Sequence, residues 1–384
     1  MGDILFGRCG REGNTVLVIK NARFVDESIK DILIEDNRIH AVVEQYQGDG
    51  EIIDLEGKSY ISSGWIDLHT HAFPKYAPYC SHPDLIGYST GVTTVVDAGS
   101  TGANDIAEFY ELSRNCKTRV FAFCNVSKIG LKRIDELADL TNLELEPIRK
   151  LYEKHPDFIV GLKARMSASV IGENGITPLK IAKSFTKQLK LPLMVHIGSE
   201  PPKIEEILAE LESGDILTHC FNGKDNNIFR DQDFPLSELI RAIERGIILD
   251  IGHGTASFSF HIAKKAITAG VLFDTISTDI YMRNKENGPV YDMATTLTKF
   301  LALGYRLDKV IHAVTEKPAQ ILKQPLLGRI RPGNYADLTI FQLQEKPIKL
   351  VDSHGVTMEA TQRVVPTAVV LGGKHIELTN NRPS

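Results

Sequence analysis

Gly64–Trp65–Ile66–Asp67–Leu68–His69–Thr70–His71 joins a short apolar run to two histidines two positions apart. Trp65, Ile66 and Leu68 predict a short buried strand. Side chains along a strand alternate between its faces, so His69 and His71 are expected on the same side. Two imidazoles on one side of a strand end form a ready pair of metal ligands. Such a pair also arises easily by chance in a chain with 12 histidines, where two core or surface residues would read the same. The flanking sequence decides between the two.

Downstream, apolar strands recur with longer amphipathic stretches between them. The strands are expected at 64–69, 92–97, 118–124, 158–164, 192–197, 215–220, 246–251 and 273–279. Helical periodicity falls at 103–115, 143–154, 176–190, 203–213, 235–245 and 259–269. Eight strands alternating with helices over residues 59–325 have the size and order of a (β/α)8 TIM barrel of the α/β class. An open doubly wound sheet is the alternative. No Gly-x-Gly-x-x-Gly follows the first strand, which weakens its dinucleotide-binding version.

Upstream, β runs are expected at 15–19, 31–35, 38–43 and 51–55, with Asp36–Asn37 as a hairpin turn. Short β runs return at 336–341, 366–371 and 374–378. Residues 1–58 and 326–384 are therefore expected to form one small, discontinuous β-sandwich domain built from both chain ends.

The 384 residues are 42% hydrophobic and 24% charged, ordinary for a globular protein, with a net charge of −5. There is no basic footprint, so a nucleic-acid partner is not expected. Cys9, Cys80, Cys116, Cys124 and Cys220 are odd in number and scattered, as for reduced thiols in a cytoplasm. No signal peptide, myristoylation motif or membrane-spanning run is expected. Barrels often associate, so a homo-oligomer is a weak expectation.

Barrel enzymes carry their chemistry at the C-terminal ends of the strands. Those ends hold His69 and His71 (first), Lys163 (fourth), His196 (fifth), His219 (sixth) and Asp279 (eighth). The seventh ends with Asp250 before Gly252–His253–Gly254. Singly, His196 and His219 read more readily as satisfied core residues, and Asp279 equally as a helix cap. Lys163 follows the apolar run 159–162, where an unpaired ammonium is costly. It could reach water at the rim, pair with an acid, lose its proton, or add CO2 and become a carbamate. Together, the six residues converge on one end of one barrel.

In that pattern the chain resembles the amidohydrolase superfamily of metal-dependent hydrolases. Thr315–Glu316–Lys317–Pro318–Ala319 and the run 328–338 add to the likeness. The resemblance implies two divalent ions bridged by carboxylated Lys163, with CO2 as the source of the carbamate. His69, His71 and Asp279 would hold the more buried ion, and His196 and His219 the more exposed one. Zn2+ is the expected metal, and Mn2+, Fe2+ or Ni2+ suit the same ligands. A hydroxide bridging the metals would attack an ester or amide carbonyl, with Asp279 as general base and then general acid.

Dihydroorotases of the superfamily carry Arg two positions after the second histidine, where this chain has Phe73. Arg165, two residues beyond Lys163, is the expected replacement cation for a substrate carboxylate. Tyr88, Asn125, His253, Tyr281 and Arg283 are further pocket candidates, and a rim salt bridge is the other reading of Arg165. The run 163–167 together with 250–254 is similar to a deacetylase-like branch, some of whose members cleave acetylated 2-hydroxy carboxylates. The expected substrate is thus a small acetylated carboxylate. A cyclic amide hydrolase (dihydroorotase- or hydantoinase-like) and a metal-free, non-catalytic assembly protein are the alternatives.

Overall fold

The computed structural model describes residues 16–379. Cys9 and Thr15, the first residue of the expected 15–19 strand, lie outside them.

Seven parallel strands pair in chain order: Trp65–Thr70, Val92–Ala98, Arg119–Asn125, Ile159–Met166, Leu193–Ile197, Ile216–Thr218 and Ile248–Leu249. The eighth stave, 274–280, forms only isolated bridges, Asp250 to Thr275 and Thr70 to Ile280. Its backbone is nevertheless bonded on both sides. Ile251 N donates to Thr275 O at 3.1 Å, His253 N to Ser277 O at 3.0 Å and His71 N to Ile280 O at 2.9 Å. The eight staves therefore close into a TIM barrel, so the open doubly wound sheet is set aside.

The helices fall where the 3.6-residue periodicity places them: Ile106–Ser113, Leu145–Lys154, Thr177–Leu189, Ile204–Glu210, Ser237–Glu244 and Phe260–Ala269. After the eighth stave come Met293–Ala302, Leu307–His312 and Glu316–Ile321, which the periodicity does not reveal. Apolar residues of the strands divide between two clusters. Trp65, Val95, Ala122, Leu162 and Val195 pack outward against the helices. Ile66, Leu68, Phe121, Phe123, Met194 and Ile216 pack against Ala319 and Leu322, filling the barrel below the site.

The first strand contains an irregularity that matters. Ile66 and Leu68 face the barrel interior, so strict alternation would turn His69 outward. Asp67 pairs with Val95 but Thr70 pairs with Asp97, which places one extra residue in the first strand. This bulge resets the phase and brings His69 and then His71 inward.

Strands from both ends of the chain form one eight-stranded sheet. Its main path runs Lys374–Glu377, Arg363–Leu371, Leu338–Gln344, Tyr60–Ser63, Leu17–Arg23, Ile29–Glu35, Arg38–Val43, and Glu51–Asp54 also pairs with Leu17–Arg23. Tyr60–Ser63 pairs with Leu338–Gln344, so this sheet continues past residue 58 until the chain enters the barrel. A separate hairpin, Ile348–Val351 with Thr357–Ala360, leaves this sheet and leans on the barrel. Its turn residue Asp352 accepts from Phe260 N at 2.9 Å, and Ser353 Oγ donates to Gly254 O at 2.9 Å. No helix of the described residues is long and apolar enough to cross a membrane.

Candidate active site

Six side chains meet at the C-terminal end of the barrel. His69, His71 and Asp279 each place a ligand atom within 4.8 Å of the others. Asp279 Oδ1 lies 3.0 Å from His71 Nε2 and 3.4 Å from His69 Nε2. Lys163 Nζ is 3.2 Å from His69 Nε2. The His219 ring lies 5.0 Å from that of His69 and 4.5 Å from that of His196, centroid to centroid.

Surrounding residues orient these groups. Asp250, fully buried, accepts the hydroxyls of Thr218, Ser277 and Thr275 at 2.7, 2.7 and 2.6 Å. With its own proton given to Asp250, Thr218 Oγ1 accepts from His69 Nδ1 at 2.8 Å. His71 Nδ1 lies 2.9 Å from Ser100 Oγ, and His219 Nδ1 donates to Gly252 O at 2.6 Å. Each of these imidazoles thus presents Nε2 to the centre. His219 Nε2 is buried and has no hydrogen-bond partner among the described residues. A buried lone pair without a donor is costly unless a cation takes it.

His219 and Asp279 both adopt left-handed backbone, with φ of 64° and 52°. Such conformations in ordinary residues concentrate at functional sites. Here they turn the chain sharply at the strand ends. Gly252 and Gly254, also at positive φ, let the seventh loop approach. A Cβ on Gly252 would stand 2.8 Å from His219 Nδ1, and one on Gly254 2.5 Å from Asp279 Oδ2. The glycines make room for His219 and Asp279, not for a ligand beside His253.

Burial sets the charge states. Desolvation holds His69 and His196 well below the ordinary imidazole range and His219 at about 4, so all three are neutral near pH 7. Burial would push Asp279 up. The hydrogen bond and charge of His71, with His219 and Lys163, outweigh it and leave the carboxylate below its usual value. Burial lowers the Lys163 ammonium to about 7. Neutral imidazoles, an ionised carboxylate and a partly neutral amine are the donor set that divalent ions require.

The expected pocket residues fare differently. Tyr281 lies at the site, its ring 6.3 Å from that of His71 and its hydroxyl 2.7 Å from Thr255 Oγ1. Arg165 is spent on fully buried Glu136, with Nε to Oε1 at 2.7 Å and Nη2 to Oε2 at 2.8 Å, so it is not a free carboxylate clamp. His253 is core. Its ring stacks on Phe258, Nδ1 faces Gly254 O at 2.9 Å and Nε2 meets buried Lys299 Nζ at 2.8 Å. Asn125 bonds Gly99 O and Ser127 N, fixing a loop. Arg283 is exposed on Met282–Asn287. Tyr88 sits in the turn before the second strand, its N–H on Thr118 just before the third, at the opposite barrel end. Strand direction rules it out of the pocket.

Sequence reading missed Tyr79, whose ring lies 5.8 Å from that of His71, and Lys224, in the loop after the sixth strand. An aromatic in the loop behind a histidine pair is a readable signal. No periodicity marks Lys224.

Residues 330–376 match the model of a deacetylase-like composite domain. A deacetylase of Enterococcus faecalis is 47% identical over 361 residues, covering 93% of this chain and 98% of that protein. A solved adenine deaminase superposes with a TM-score of 0.92 at 47% identity, covering 94% of this chain and 99% of its own. A solved dihydroorotase does so with a TM-score of 0.88 at 37% identity, covering 95% and 99%. The barrel, its convergent strand ends and relatives matched over nearly their full lengths make this chain a member of the amidohydrolase superfamily, in its deacetylase- and dihydroorotase-like branch, and a hydrolase of C–N or ester bonds.

Proposed function

We propose that the protein is a binuclear metal-dependent deacetylase acting on the acetyl ester or amide of a small carboxylate. One observation carries this reading: four histidines, Asp279 and Lys163 meet in one cluster, where His219 Nε2 is buried with no partner among the described residues. His69, His71 and Asp279 would hold the inner ion, and His196 and His219 the outer. Lys163, once carboxylated, would hold both. Bound there, divalent ions supply a water ionised near neutral pH and an electrophile for the carbonyl oxygen.

This chain's own groups do the rest. Thr218 and Ser100 hold the imidazole planes of His69 and His71. Asp279 accepts the proton of the attacking water and returns it to the departing oxygen or nitrogen. Lys163 adds CO2 through its neutral amine, forming an N–C bond and releasing one proton. Burial makes that amine available, because an ordinary lysine is almost wholly charged at pH 7.

Phe73 disfavours a cyclic ureide held as in dihydroorotases. It is fully buried, packed edge-on against Tyr76 and Phe109, and offers no cation to a ring carboxylate. A panel of acetylated 2-hydroxy acids and N-acetyl amino acids, set against dihydroorotate and hydantoins, tests the assignment. Turnover confined to the acetyl panel is expected. Turnover confined to the cyclic panel would replace this reading.

A further inference from the structure

The loops after the fifth and sixth strands flank an open cavity of about 600 Å³ lined by Ser199, Glu200, Lys224, Asp225 and Asn226. Most of its polar wall is already committed. Asn226 Oδ1 accepts from Ile204 N at 2.9 Å, and its Nδ2 donates to Gly198 O at 3.1 Å and Pro202 O at 3.0 Å. Glu200 accepts from Arg230 Nη1 at 3.0 Å. Asp225 is exposed. Lys224 is half-buried and has no carboxylate within 4.0 Å among the described residues. Its ammonium lies near enough to Asp279, His196 and His219 to interact with each through charge.

The position of Lys224 is well supported. Its N–H donates to Asn222 Oδ1 at 3.1 Å, and its carbonyl accepts from Asn227 Nδ2 at 2.6 Å. Gly223 packs so closely on the C-terminal hairpin that an added Cβ would stand 2.5 Å from His354 Nε2. A cation on a braced loop, beside the ligand cluster and facing a cavity, is preorganised for an anion. Arg165, the other cation of this wall, is neutralised by Glu136.

We infer that Lys224 anchors the substrate's carboxylate and sets this hydrolase's preference for anionic acyl substrates, an assignment that rests on the hydrolase reading of the neighbouring cluster. Water adds across the acetyl ester and the acyl C–O bond breaks. Acetate and the hydroxy acid leave, and the carboxylate held by Lys224 is unchanged.

The test uses metal-loaded full-length protein with O-acetyl-mandelate and its neutral carboxamide as probes. Lys224→Met is expected to lower the carboxylate-over-carboxamide ratio of kcat/KM by roughly 30-fold, chiefly through KM, as for loss of a charge-assisted contact held throughout the reaction. Lys224→Arg should keep that ratio within about tenfold, since it keeps the charge on a different head. An unchanged ratio in Lys224→Met with wild-type metal content overturns the assignment. If wild type turns over neither ester, the deacetylase reading fails, and binding of mandelate decides on Lys224. Binding at least about tenfold weaker in Lys224→Met than in wild type supports the anchor. Equal affinity, or no binding to either protein, overturns it.

Discussion

The floor of the site and its wall are built from similar residues but held in opposite ways. On the floor, His69, His71 and His219 have their Nδ1 atoms tied to Thr218, Ser100 and Gly252, and their Nε2 atoms converge. On the wall, Arg165, His253 and Asn125 are consumed by the protein itself, by Glu136, by Lys299 and by loop backbone. Polarity and a strand-end position therefore do not make a ligand-binding group. What distinguishes the floor is a set of outer atoms aimed at one another, one of which, His219 Nε2, has no hydrogen-bond partner among the described residues.

That contrast can be broken by substitution. Asp279→Asn removes the carboxylate of the floor to which the proposal gives both the ligand and the base role. It should lower kcat on an acetyl substrate by on the order of 10³-fold, measured after metal reconstitution. Arg165→Met should act on the wall in another currency. It leaves Glu136 buried and unpaired, at a cost of about 3–5 kcal/mol, seen as a lower denaturation midpoint. A large rise in KM with unchanged stability would return Arg165 to the pocket. Thr218→Val cuts the link between His69 and Asp250 while keeping both. It should weaken metal affinity by about 10- to 100-fold in a chelator competition, whereas unchanged affinity would make Thr218 mere packing.

The smallest effect is a pH dependence. The Lys163 amine loses its proton at about 7 in the folded protein instead of 10.5. Only the neutral amine adds CO2, so carboxylation is favoured above that value and suppressed below it. At fixed dissolved CO2, uptake by metal-free protein should be roughly tenfold slower at pH 6 than at pH 8. A difference of about 100-fold, tenfold per unit, would mean an unshifted lysine. Labelled bicarbonate followed by carbon NMR measures it.

The floor was legible in the sequence because each of its side chains ends a strand, and a strand's phase says which way a side chain points. Even there the phase needed correction: the bulge in the first strand, not simple alternation with Ile66 and Leu68, turns His69 inward. The eighth stave was placed correctly, although only two isolated bridges and scattered backbone bonds hold it. Met293–Ala302 escaped because it carries three threonines and is buried almost all round, leaving no polar face to show a period. The hairpin Ile348–Val351 with Thr357–Ala360 escaped because its strands are short and only one residue in each is buried. Lys224 escaped because it stands in an irregular loop, where nothing in the order of residues fixes a direction. The names of three matched proteins, deacetylase, adenine deaminase and dihydroorotase, divide in the same way. They share a fold while differing in substrate, as expected when the wall and not the floor sets specificity.

Metal analysis of purified wild type and Lys163→Ala, each supplied with bicarbonate and divalent ions, tests the account of the floor most directly. The expected result is about two ions per wild-type chain and a sharp fall in the variant, since the proposed site has Lys163 serving both ions. Metal-free wild type under those conditions, or one ion in both proteins, would contradict it.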